Sequence, residues 1–161
     1  MNHIPNDDIS QKLALLPEGI VESNLHSWEK IVSFYKGFVD NPIGDILPEN
    51  FHDKILHKLF VLVNNISKTE QAKLFRAGQS VYDLMISTAD KHGLKYGEYF
   101  VRVTFDKEFI HIQFETVGPI SDGENRNIYK RYSCNLDNDL MPVLQPLLDR
   151  LWDETRGRKN A

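Results

Sequence analysis

The chain is 161 residues long, 41% hydrophobic and 26% charged, with a net charge of −4 and one cysteine. That length suits a single domain around one core, that composition excludes a disordered chain, and no apolar run approaches the roughly 18 residues a membrane-spanning helix needs. The lone Cys134 excludes an internal disulfide and a cysteine-built zinc site, and acids stand where a secretory leader is basic, so a cytoplasmic protein is expected.

The first 53 residues carry nine acids against three bases, a local charge of −6, and the rest holds 14 acids against 16 bases. This makes an acidic N-terminal pole, which steers a basic partner and repels nucleic acid. Asn6 or Asp7 is placed to cap a short helix over residues 8–16, ended by Pro17 and Gly19. From Ser23, the recurrence of Leu25, Trp28, Ile31, Val32, Tyr35 and Phe38 predicts a second helix with one broad apolar stripe. Residues 40–47, with Pro42 and Gly44, read as a loop. Pro48 suits the first turn of a third helix, continued by Phe51, Ile55, Leu59, Leu62, Val63 and Ile66.

Ser67 to Glu70 has the form of a capping box. It predicts a long fourth helix with Leu74, Phe75, Val81, Tyr82, Met85 and Ala89 inward and Gly93 as its left-handed terminator. Gly78 within it costs about 1 kcal/mol relative to Ala. Residues 99–115 then alternate strictly through a charged turn. With Lys107 and Glu108 at the tip, Phe105 faces Ile110, Val103 faces Ile112 and Val101 faces Phe114, all six on one side. Arg102, Thr104, His111, Gln113 and Glu115 occupy the other side, which reads as wet or partner-covered.

A third strand is predicted over residues 127–134, with Ile128, Tyr132 and Cys134 on one side and Tyr129, Arg131 and Ser133 on the other. Sequential strands are usually neighbours, so the three form a meander. Residues 140–156 predict a last helix, regular from about Gln145 because Pro142 and Pro146 precede it; residues 156–161 form a basic, frayed tail. The expected fold is therefore α+β: four N-terminal helices on a small three-stranded antiparallel sheet, then a C-terminal helix, all one domain over residues 1–161.

No phosphate loop, nucleophile elbow or Cys/His pair is present. His52 and His57, five apart, lie about 140° apart around a helix and make no one-face metal pair. His111 lies opposite Thr104 and near Arg102, the arrangement of a general base beside a cation in metal-independent RNA cleavage, with a second acid–base group still to be supplied. Lys130 and Arg131 between Tyr129 and Tyr132 resemble a single-strand-binding strip, which the overall acidity opposes. The sequence thus assigns no catalytic, cofactor-binding or metal-binding residue, and no direct contact with nucleic acid or membrane.

An α+β domain of this size, acidic at one pole and with aromatics on a partly open sheet, resembles the immunity proteins of bacterial contact-dependent growth inhibition and other polymorphic toxin systems. The resemblance implies a non-enzymatic protein that binds and neutralises one cognate toxin, a basic nuclease. Candidate partner contacts are Asp40, Asp45, Glu49 and Asp53 from the acidic pole, and Phe109, His111 and Tyr129 from the sheet. The alternatives are a small RNA-acting enzyme using His111 and a phage or regulatory adaptor.

Overall fold

The computed structural model describes residues 5–43, 51–91, 93–118 and 126–158. Helix α1 spans Pro5–Ala14, starting ahead of the expected caps with proline in its first turn, where its missing amide costs nothing. Helix α2 spans Ile20–Asp40 and begins just after Gly19, whose φ of 85° is the left-handed conformation glycine adopts without a Cβ clash. Helix α3 spans Phe51–Ser67. Trp28, Ile31 and Tyr35 of α2 and Ile55, Leu59, Val63 and Ile66 of α3 are all buried in one cluster. These are the stripes that the three-to-four spacing predicts.

The chain departs from expectation after Ser67. That residue ends α3 rather than capping a new helix, its hydroxyl donating to the Asn64 carbonyl at 2.7 Å, and Thr69 does the same to Ile66 at 2.8 Å. Glu70, instead of reaching back, pairs with Lys73 at 2.9 Å. The fourth helix is a single turn, α4, over Gln71–Leu74. The chain then turns back on itself in a hairpin, β1 over Arg76–Ser80 and β2 over Asp83–Ser87.

Tertiary pairing explains this reversal. As a strand, β2 sets Leu84 opposite Val103 and Ile86 opposite Val101, adding both to the apolar face of the next hairpin, and a helix would forgo those pairs. Gly78, costly in a helix, is tolerated in a short outer strand. Val81 and Tyr82, expected to point inward, form the hairpin turn and are exposed.

The predicted central hairpin is present as β3 over Tyr99–Phe105 and β4 over Ile110–Val117, in the expected register. Strand β5 spans Arg126–Cys134, and all five strands of the described residues form one antiparallel sheet in the order β1-β2-β3-β4-β5. The expected three-stranded sheet beneath four N-terminal helices is therefore replaced by a five-stranded meander, although the α+β class stands.

Helix α5 spans Met141–Trp152, four residues earlier than expected, because Pro142 falls in its first turn, where its missing amide costs nothing, and the helix runs on through Pro146 in its interior. A π-helical turn over Asp153–Gly157 extends it. Arg156, expected in a frayed tail, is buried, bonding the Thr88 carbonyl and the Asp90 carboxylate. Leu144, Leu147, Leu148 and Leu151 lay α5 over the core side of the sheet, where the Arg150 guanidinium sits 4.4 Å from the centre of the Phe114 ring.

Helix α2 also closes the β1 edge. Ser27 Oγ accepts the Ala77 amide at 2.9 Å, Trp28 Nε1 donates to the Phe75 carbonyl at 2.9 Å, and Tyr35 donates to the Tyr82 carbonyl at 2.9 Å. Among the described residues no helix is long and apolar enough to cross a membrane.

Candidate functional site

The antiparallel registers bring the β1–β2 turn and the β3–β4 turn to the same end of the sheet: Ser80 faces Asp83, Leu84 faces Val103, and Phe105 faces Ile110. Helices contribute to that end as well. Phe38, near the end of α2, packs edge-on against Tyr82 at 5.5 Å between ring centres, and His52, at the start of α3, does so against Phe105 at 5.6 Å. The Ile43 amide donates to Asp53 at 3.0 Å, tying the segment after α2 to the start of α3.

This turn end carries exposed apolar side chains and charge. Ile43, Val81, Tyr82 and Phe109 are all exposed there, Val81 by 75%. Asp40, Asp106 and Glu108 are exposed acids at the same end, with the exposed Lys107 between the last two and Lys36 pairing Asp40 at 3.9 Å. Val81 also holds a φ of 56°, a conformation that a β-branched residue adopts only under strain. Exposed apolar side chains at a strained turn, beside charge, are the features of a docking surface.

The β3–β4 tip is set by Asp106. Its Oδ1 accepts the amides of Glu108 and Phe109 at 2.8 and 2.9 Å, which closes the turn. Its Oδ2 lies 2.7 Å from His111 Nε2, and His111 Nδ1 lies 2.8 Å from Ser133 Oγ on β5. The bond from His111 first, then the two amides, lowers the Asp106 carboxyl from its ordinary 3.8 to about 2. An ionised carboxylate only accepts, so Nε2 carries the proton, and in a neutral ring Nδ1 then accepts from Ser133. This Ser–His–Asp chain polarises the hydroxyl, but the Asp106 side chain is 55% exposed and its charge is hydrated. Catalytic relays draw their strength from a dry, preorganised setting. Here the chain pins the tip to β5.

The outer face of β3 and β4, expected to be wet or partner-covered, holds a buried polar layer. Gln113 and Glu115 are fully buried. Arg102 Nε donates to Glu115 at 3.1 Å and its Nη1 to Asp83 at 2.9 Å, Gln113 donates to Glu115 at 2.7 Å, and Arg131 Nε donates to Gln113 at 2.6 Å. Arg102 also lies over the buried Phe100 ring at 5.4 Å. The cation expected beside His111 is thus engaged across β2, β3 and β4.

The sequence-derived contacts divide. Asp40, Phe109 and His111 belong to the turn end, and Asp53 lies there half-buried with one oxygen on the Ile43 amide. Asp45 and Glu49 lie outside the described residues. Tyr129 is placed differently from expectation. The register of β4 and β5 shifts between Phe114 and Glu115, and the extra residue sends the Tyr129 ring toward Phe114 and Tyr99 at 6.2 and 6.1 Å, its hydroxyl 3.2 Å from Thr116 Oγ1. It therefore sits at the far end of the hairpin. Sequence reasoning missed Val81 and Tyr82 by assigning them to a helix. Their signal was a pair of large residues between two short alternating runs.

Elsewhere, a cleft of roughly 500 Å³ opens between the segment after β2 and the C-terminal turn, lined by Asp90, Lys91, Lys95, Glu98, Tyr99 and Arg158. Its charges are mixed. Among the described residues no three of His, Cys, Asp and Glu gather as a metal site. Comparison of the chain with protein-family models, curated proteins and solved structures finds no match.

Proposed function

We propose that the chain is a non-enzymatic, immunity-type inhibitor that works in the cytoplasm and docks its turn end onto a basic protein toxin, a nuclease. The observation that carries this reading is that Ile43, Val81, Tyr82 and Phe109 are exposed at one end of the sheet, together with Asp40, Asp106 and Glu108. Aromatic and aliphatic side chains supply desolvated anchors, and the acids raise the rate of encounter with a cationic surface. Glu22, Glu29 and Asp40 fall on one exposed stripe of α2 at spacings of 7 and 11 residues, over about 27 Å, and Lys36 on the same stripe neutralises part of that charge by pairing Asp40.

Co-expression with any toxin domain encoded beside this chain tests the reading. Cells are expected to survive with the intact chain and to arrest when it carries Phe109→Ala with Asp40→Lys. Arrest in the presence of the intact chain sinks the proposal. A second reading, hydrolysis of RNA, draws on the contact of His111 with Ser133. It requires metal-free RNA cleavage that His111→Ala abolishes; the docking role expects no cleavage.

A further inference from the structure

Strand β5 is the uncovered edge of the sheet. Nine residues long against a usual five or six, it pairs with β4 on one side, and no strand of the described residues pairs with the other. Every residue from Asn127 to Ser133 is exposed, including Ile128 by 39%, Tyr129 by 50% and Tyr132 by 39%. An open edge offers a row of main-chain donors and acceptors, and proteins usually blunt it with proline, brevity, charged side chains, a bulge or a covering helix. Strand β5 carries charge at Lys130 and Arg131 and a bulge at Tyr129, which oppose pairing with a like-charged strand, but it has no proline, and the helix that covers an edge here covers β1.

Charge selects the occupant. Arg126, Lys130 and Arg131 give β5 three bases and no acid. Lys58 of α3 acts electrostatically on Cys134 at the end of the strand, and Arg150 of α5 lies over Phe114 of β4. A second copy of β5 is a poor fit, since antiparallel self-pairing centred on the strand sets Lys130 against Lys130, a repulsive cross-strand pair. We propose that β5 accepts an extended, acid-bearing peptide segment of a partner protein as a sixth strand, its carboxylates meeting Lys130 and Arg131 and its apolar side chains meeting Ile128, Tyr129 and Tyr132. This surface does not depend on the toxin-docking reading.

The test uses the full chain and a labelled nine-residue peptide alternating Glu with Val, read by fluorescence anisotropy and by amide hydrogen exchange. Saturable binding with slowed exchange in residues 126–134 is expected. A Lys-for-Glu peptide and an acidic peptide N-methylated at alternate residues should each bind at least tenfold more weakly, and Lys130→Glu should weaken the parent peptide at least fivefold. Equal binding of the N-methylated peptide would show charge attraction without strand addition, and overturn the proposal. So would absence of binding at millimolar peptide, or a concentration-dependent dimer that protects β5 with no peptide present.

Discussion

At the β1 edge, α2 reaches the strand with side chains: Ser27 takes the Ala77 amide, Trp28 takes the Phe75 carbonyl and Tyr35 takes the Tyr82 carbonyl. At the β5 edge, seven consecutive residues face solvent, and the strand is tied at one end by Ser133 to His111 and Asp106. One edge satisfies its backbone inside the chain; the other leaves that work to water or to a partner. Free energy is invested where the fold must not slip, and withheld where another molecule can add.

The contrast can be broken most forcefully at Trp28. Trp28→Ala removes a buried ring and the donor that fixes Phe75, and a loss of about 3–5 kcal/mol is expected in urea unfolding. A loss below about 1 kcal/mol would mean that α2 does not hold the β1 edge. Ser27→Ala is a smaller probe. It strands the buried Ala77 amide, with an expected cost of about 1–3 kcal/mol and faster exchange of that amide.

The open edge is probed through its tie. The Asp106 carboxyl is lowered to about 2 in the folded chain, so its contribution is fully present above its ordinary value of 3.8 and is lost as pH falls toward 2. Thermal melts of Asp106→Asn should therefore be flatter than those of the parent between about pH 4 and pH 2, by a modest amount because the group is exposed. An identical acid limb would mean that Asp106 does not hold the tip. The smallest effect is expected at Lys130→Glu, within about 0.5 kcal/mol of the parent stability, although the same change should weaken an acidic peptide. A large destabilisation there would make β5 a structural edge like β1.

The central hairpin was legible because strict alternation ran into a charged turn and out again, which permits one register. Helices α2 and α3 were legible for the analogous reason at a period of 3.6. The β1–β2 hairpin was not: two five-residue strands offer too few alternations, and Leu74, Phe75, Val81 and Tyr82 fit a helical stripe equally well until β3 supplies neighbours for Leu84 and Ile86. The burial of Gln113 and Glu115 was hidden for the same cause, since Asp83 reaches Arg102 on the outer face only once β2 flanks the hairpin. Of the proposed docking surface, Phe109 and Asp40 could be named from sequence. Its centre could not, because Val81 and Tyr82 come from the hairpin that was read as helix.

Cys134 closes β5, buried, its thiol pushed up by desolvation while the Lys58 charge pulls the other way. Only a thiolate attacks a disulfide reagent, so this buried sulfur, with its thiolate disfavoured by desolvation, reacts slowly while the strand is in place and faster when the strand lifts away. Since the chain has no other cysteine, its labelling rate is an intrinsic clock for the breathing of that one edge. An added strand would slow the clock, a loosened His111 tie would quicken it, and neither reading needs an introduced probe.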